Sequence, residues 1–233
     1  MLSKTRAIVL RSTKYAENSL VVKLYTENFG LKSYLIGGVH GKKSKAAFFL
    51  PLSLLEIVAH HTEKDKLIKP KEINSLESLQ QIQNDFQKQA ILLFLNEVIY
   101  KSIKEEEANP NMFTFILEHI LELNNTHASI ANFHLNFLIE FSRLLGFYPL
   151  GKCTTATPYF NLEDGIFETE SNNYSLDKLN SSLLYTCMNG SFEGLSNKQA
   201  RNNLLEKMLL FYSFHIHGFA NIKSYEILKE ING

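Results

Sequence analysis

Ser19-Leu20-Val21-Val22-Lys23-Leu24-Tyr25-Thr26-Glu27-Asn28-Phe29-Gly30-Leu31-Lys32-Ser33-Tyr34-Leu35-Ile36-Gly37-Gly38 is the stretch that decides the fold class of this chain. Read with period 2, Leu20, Val22 and Leu24 share one face of an extended segment, and Val21, Lys23 and Tyr25 share the other. Glu27-Asn28-Phe29-Gly30 then supplies turn chemistry, because glycine reaches positive φ without a Cβ clash. Alternation resumes with Leu31 and Leu35 opposite Lys32, Tyr34 and Ile36, and Gly37-Gly38 ends it. Two alternating runs around a short turn read as a β-hairpin.

Upstream of this hairpin, Thr5 to Ser12 reads as a strand; downstream, Phe48 to Ala59 is strand-like with Pro51 near its start, and Leu67 to Ile73 is a weaker last strand. Five short strands leave no room for crossover helices, so they predict a small antiparallel barrel of OB-like type. From Ser75 the period turns helical. Ser78-Leu79-Gln80-Gln81 resembles a capping box, and Ile82, Phe86, Ala90, Leu93, Glu97 and Tyr100 track one long helix. Glu105 to Pro110 ends it. Further helices are expected over Met112–Leu123, Ile130–Leu145 with Gly146 as C-cap, Leu176–Met188, Ser196 to about His217, and from Ser224. The expected class is α+β, with an OB-like barrel over 1–77 and an all-helical domain over 78–233. Residues 147–172, rich in Thr, Asn, Pro and Gly, interrupt the helices as an irregular segment.

Formal net charge is zero over 233 residues, yet residues 1–80 hold 13 basic and 7 acidic side chains, and residues 81–233 hold 11 and 17. A segment of +6 joined to one of −6 points to two domains with different partners. The densest positive cluster is the loop of His40, Lys42, Lys43 and Lys45, with no acid between Glu27 and Glu56. Arg6, Arg11, Lys14, Lys23 and Lys32 add charge in the same segment, and Tyr25 and Tyr34 share strand faces with Lys23 and Lys32. Cations that track phosphates, with rings that stack bases, are what a single-strand groove needs. A solvated lysine-rich hairpin explains the same residues without a ligand.

Other candidates carry less. His60-His61 and His215-Ile216-His217 have no matching ligand cluster, and Cys153 has no His/Asp set beside it in sequence. No phosphate-binding glycine loop, dinucleotide motif or nucleophile elbow occurs, so no enzyme is expected and no cofactor or metal is required. The longest apolar run, Ala90 to Leu95, is far too short for a membrane span. A cytosolic protein without membrane contact is expected.

The order of several short motifs resembles the RecO family of bacterial recombination mediators. Ala7-Ile8-Val9-Leu10 leads to Tyr15-Ala16-Glu17-Asn18-Ser19-Leu20 and then Leu24-Tyr25-Thr26-Glu27-Asn28-Phe29-Gly30. Gly37-Gly38-Val39-His40, Ser44, Phe49-Leu50-Pro51-Leu52 and Leu55-Glu56 follow. Much later come Phe137-Leu138, Leu144-Leu145-Gly146-Phe147-Tyr148-Pro149 through Cys153, and Ile222-Lys223-Ser224. The resemblance implies an OB fold before a helical domain, and binding and annealing of single-stranded DNA. It also implies complex formation with RecR, contact with the C-terminal tail of single-strand-binding protein, an indirect role in loading RecA, and a nucleoid-associated place in the cytoplasm.

Arg143, Lys152, Arg201 and Lys207 are candidate contacts for the acidic tail. A protein adaptor whose barrel makes no direct DNA contact is the alternative. Two departures stand out. Basic residues of the family loop are replaced by Gly37 and His40, with charge moved to Lys42, Lys43 and Lys45. Of the four cysteines that many members place after the Leu-Gly-aromatic motif as a zinc ribbon, only Cys153 is present, so the chain is expected to be metal-free.

Overall fold

Five strands form the N-terminal sheet in a computed structural model of the chain, which describes residues 2–38, 46–61, 66–104 and 107–231. They are β1 (Leu2–Ala16), β2 (Ser19–Thr26), β3 (Gly30–Gly37), β4 (Leu54–His60) and β5 (Pro70–Ser75). All neighbours are antiparallel, in the order β3-β2-β1-β4-β5. The OB-like expectation is met, although the ladder is open. Its edges are drawn together by Ile68, whose N–H donates to Ser33 O (2.9 Å) and whose carbonyl accepts from Leu35 N (2.8 Å).

Alternation fills the inner face with Ala7, Val9, Val22, Leu24, Tyr34, Ile36, Leu55, Ile57 and Ile73. The segment 48–59 is not one strand. A short 3-10 helix (Ala46–Phe49) precedes Pro51, and Leu52 takes φ +56 with its side chain fully buried before β4 begins. Proline and a left-handed residue cannot continue a ladder, so the apolar run divides there.

The sheet's other face is also apolar: Ile8, Leu10, Tyr25 and Leu54 are buried but lie outside that inner cluster. Helices cover it. The single long helix expected from Ile82 to Tyr100 is broken into α1 (Gln80–Gln83) and α2 (Phe86–Ser102), because Asp85 caps α2, accepting from Gln87 N (2.8 Å) and Lys88 N (3.1 Å). The capping-box reading at Ser78 fails, since Leu79 occupies the N-cap and makes no side-chain bond. α3 (Pro110–Asn125) starts at the proline that the sequence suggests as a terminator. Asn109 caps it and Pro110 takes the first turn, where its missing N–H costs nothing. α2 packs on β1, and Phe113 of α3 meets Tyr25 at 6.1 Å between ring centroids.

Residues 1–126 form one compact unit and residues 127–233 a second. The second contains α4 (Phe133–Leu144), α5 (Lys178–Met188), α6 (Lys198–His215) and α7 (Ser224–Ile231). Gly146, at φ +87, follows α4 in the expected cap position. The region is mostly helical, as expected; within the interrupting segment 147–172, β6 (Tyr159–Asn161) and β7 (Ile166–Glu168) pair antiparallel where irregular chain is expected. Three residues per strand are too few to show a period. Tyr212 donates to Leu138 O at 2.6 Å and ties α6 to α4 inside the core.

Two outcomes follow for stability. Lys88, 6% exposed, donates from Nζ to Asn124 O (2.9 Å) and Thr126 O (2.8 Å), so it satisfies the C-terminal carbonyls of α3 from the first turns of α2. Lys88→Met is expected to lower unfolding free energy by about 3 kcal/mol in urea titrations, because two charge-assisted bonds go and the Asn124 carbonyl is left buried without the ammonium. An unchanged midpoint would refute this.

His134 on α4 is fully buried, and burial, then the charge of Arg201, lowers its pKa from 6.5 to about 3. The unfolded chain binds a proton there below the ordinary histidine value, while the folded chain resists one. This contribution to stability is therefore complete above pH 6.5 and declines as pH falls toward 3. The slope reaches about 1.4 kcal/mol per pH unit. His134→Gln is expected to show a shallower acid loss between pH 6.5 and 4.5, within that window; parallel slopes would exclude His134 as a source.

Candidate nucleic-acid interface

The cations and rings nominated from sequence separate into four groups. Lys23 and Tyr25 do share a face, as do Lys32 and Tyr34, but neither face opens to solvent as a groove. Tyr25 is 1% exposed beneath the helices, and its hydroxyl donates to Asn109 O at 3.4 Å. Tyr34 is fully buried on the inner face, its hydroxyl 2.7 Å from His61 Nε2. The stacking role expected of these two tyrosines is therefore corrected, because base stacking needs an exposed ring face and both rings are already packed.

Tyr34 is instead a post at one end of the sheet. Ser3 Oγ lies 2.7 Å from His61 Nδ1, and Phe29 stacks on the imidazole at 3.9 Å. Burial and the charge of Lys32 hold the His61 pKa below its ordinary value. Lys32 is half-buried near this cluster.

Arg6 is neutralised. Its Nε donates to Glu27 Oε2 at 2.8 Å and its Nη2 to Glu27 Oε1, a bidentate pair that raises the arginine pKa and lowers that of the carboxyl. Its guanidinium also lies 5.5 Å from the Phe113 ring centroid. Arg6 thus joins strand to turn and helix, and offers little net charge to a ligand.

Arg11 and Lys14 are exposed on the outer part of β1, and Lys23 is half-buried on β2 directly opposite Arg11. A residue that the sequence does not nominate completes this group: Arg11 Nη1 donates to the Tyr100 hydroxyl at 3.1 Å, and Arg11 and Lys23 lie 5.3 and 5.7 Å from the Tyr100 ring centroid. Tyr15, 64% exposed beside Lys14, is a second such residue. Nothing local signals Tyr100, which lies 77 positions beyond Lys23. Tyr15 carries no signal beyond its place in a family motif. His40, Lys42, Lys43 and Lys45 lie outside the described residues. Lys66, Lys69 and Lys71 are exposed before and within β5 and extend the positive surface.

The segment 147–172 bears on metal binding. Cys153 is half-buried, and burial raises its thiol pKa, the opposite of what a ligand thiolate needs. No three His, Cys, Asp or Glu side chains converge among the described residues, so a zinc ribbon does not fit here. The hairpin is held by aromatic packing: Phe160 is fully buried, 5.0 Å from Phe167 and 5.6 Å from Phe211. His215, weighed as a ligand, stacks on Phe147 at 5.0 Å. Dialysis against a chelator is expected to leave the melting temperature unchanged, whereas a drop of several degrees restored by zinc would show a metal centre.

Residues 1–80 match the family described as Recombination protein O N terminal, and residues 83–226 match Recombination protein O C terminal. A protein of Flavobacterium johnsoniae named DNA repair protein RecO is 39% identical over 240 residues, covering 99% of each chain. Proteins of the same name from Christiangramia forsetii and Bacteroides fragilis are 38% and 33% identical, covering 100% and 99% of each chain. No described helix is long and apolar enough to cross a membrane. With both family matches in order and relatives above 30% identity along their whole length, this chain belongs to the RecO family of DNA repair proteins.

Proposed function

We propose that the chain is a recombination mediator that binds and anneals single-stranded DNA, works with RecR, and helps load RecA onto strands coated by single-strand-binding protein. The observation that carries this reading is the charge division along the chain. Residues 1–80, the part of the chain that contains the five strands, carry net +6, and net −6 over the remainder disfavours phosphate there. The division of labour follows: residues 1–77 take the strand, and residues 78–233 take protein partners. The acidic tail of single-strand-binding protein would need local cations in this second part. Of the four nominated, Arg143 is paired with Glu140 at 3.2 Å and Arg201 is buried, leaving Lys152 and Lys207 as the better candidates. The role is one of holding and positioning strands, without covalent chemistry.

DNA contact on this reading is mainly to phosphate. Lys42, Lys43 and Lys45 supply the principal contacts, with Lys14 on the outer hairpin. Tyr15 replaces Tyr25 and Tyr34 as the ring available for stacking, since it is 64% exposed.

Oligonucleotide anisotropy at two salt concentrations tests the reading. The wild-type chain is expected to bind a homopolymeric single strand with steep salt dependence. Changing Lys42, Lys43 and Lys45 together to Glu should weaken binding and flatten the slope by roughly 0.7 for each phosphate that is no longer neutralised. The weakening should be similar for all base sequences, because phosphates carry no base identity. No binding by the wild-type chain at low salt would favour the adaptor reading. A folded triple variant with wild-type affinity and slope would move the binding surface elsewhere on the sheet.

A further inference from the structure

We infer that Arg11, Lys23 and Tyr100 form a phosphodiester-binding clamp on the outer end of the β1–β2 hairpin. The inference rests on the single-strand reading above and locates a contact outside the lysine loop.

Arg11 and Lys23 are direct cross-strand partners. Like charges placed directly opposite on a sheet destabilise it, so such a pair ordinarily has a counter-charge nearby. Arg6, further along the same strand, has Glu27; Lys4 has Glu56 at 2.8 Å; Lys101 has Glu97 at 3.0 Å. Among the described residues no carboxylate pairs with Arg11 or Lys23. What they share is the Tyr100 ring, with their charged groups 5.3 and 5.7 Å from its centroid. A cation–π contact at an exposed site contributes about 0.5–1 kcal/mol and neutralises nothing. Tyr100 lies in the last turn of α2, whose C-terminus carries roughly half a negative charge against two positive ones.

Among the described residues the arrangement is therefore an anchored pair of cations without a paired carboxylate. The ring limits their rotamers, and the hydroxyl of Tyr100 holds Arg11 by one guanidinium nitrogen, leaving its other N–H groups for a ligand. A tetrahedral oxyanion between the two heads would accept from both. A monoanionic phosphodiester fits this pair and leaves a net positive charge to attract the next one along a strand. The ring comes from the part of the chain matched by the C-terminal family description and the cations from the N-terminal one, so the clamp exists only when both are folded together.

The test uses the full chain, fluorescent oligo-dT and four variants, with thermal melts as the folding control. Arg11→Gln with Lys23→Gln is expected to weaken binding about tenfold per cation and to reduce the salt slope by roughly 0.7 to 1.4. The charge-preserving swap Arg11→Lys with Lys23→Arg should retain the slope, and Tyr100→Phe, which keeps the ring but removes the hydroxyl that holds Arg11, should weaken binding less than Tyr100→Leu does. Tyr100→Leu should weaken binding with the melt unchanged. If the double glutamine variant keeps wild-type affinity and slope while the wild type binds, the clamp is wrong and the single-strand reading stands. If the wild type does not bind at all, that reading fails first. A fall in affinity with an unaltered slope also overturns the clamp, because it marks a structural effect. In a second arm, orthophosphate is compared with chloride at equal ionic strength. No selective displacement of oligo-dT is expected; displacement at low millimolar phosphate would make this a site for free phosphate.

Discussion

A five-stranded sheet with apolar side chains on both faces has to be covered twice. This constraint shapes the whole of residues 1–126. The inner face is covered by the sheet's own curvature, with Ile68 bonded to Ser33 and Leu35 across the gap between the edges. The outer face is covered by α2 and α3, and these helices are fastened to each other by Lys88, whose ammonium ends α3 from the start of α2. With both faces spent on packing, the described residues of the sheet keep exposed side chains at its rims and on the outer end of the β1–β2 hairpin. Arg11, Lys14 and Tyr15 stay exposed there, whereas Tyr25 and Tyr34 are buried.

The second unit meets a different demand. Its hairpin between residues 159 and 168 is too short to bury a core of its own. Aromatic side chains supply the cohesion: Phe147, Phe160, Phe167 and Phe211 pack on one another and on His215. The hydroxyl of Ser181 accepts the Phe160 N–H at 2.8 Å, and Leu176 N donates to Phe160 O at the same length, so the strand's backbone is satisfied on its open side. Cysteines are unnecessary in such a hairpin, and their absence from Thr154 to Phe167 has a positive structural counterpart.

Much of this architecture is legible in residue order. Alternation in Ser19 to Ile36 assigns strands and faces correctly, and the change of period after Ser75 marks where helices begin. Errors arise where a side chain acts at a distance or a run is short. Alternation tells which residues share a face, not what covers that face, so Tyr25 looks available although α3 lies over it. Asp85 as a cap and Pro110 as a first-turn residue are local signals that a continuous apolar stripe outweighs. Tyr100 reads as one more position on that stripe, and only the fold brings it to Arg11 and Lys23.

Covering the sheet's second face with helices that come later in the chain also has a temporal side. As the polypeptide leaves the ribosome, β1 to β5 emerge before α2 and α3 exist. Ile8, Leu10 and Tyr25 must then wait, uncovered, for Phe113 and its neighbours. At roughly 5–20 residues per second the interval is several seconds. During it the nascent sheet carries an exposed apolar face and open strand edges, the features that attract chaperones and promote association between chains. The vulnerable period in the life of this protein is its synthesis, and it ends with the delivery of α3.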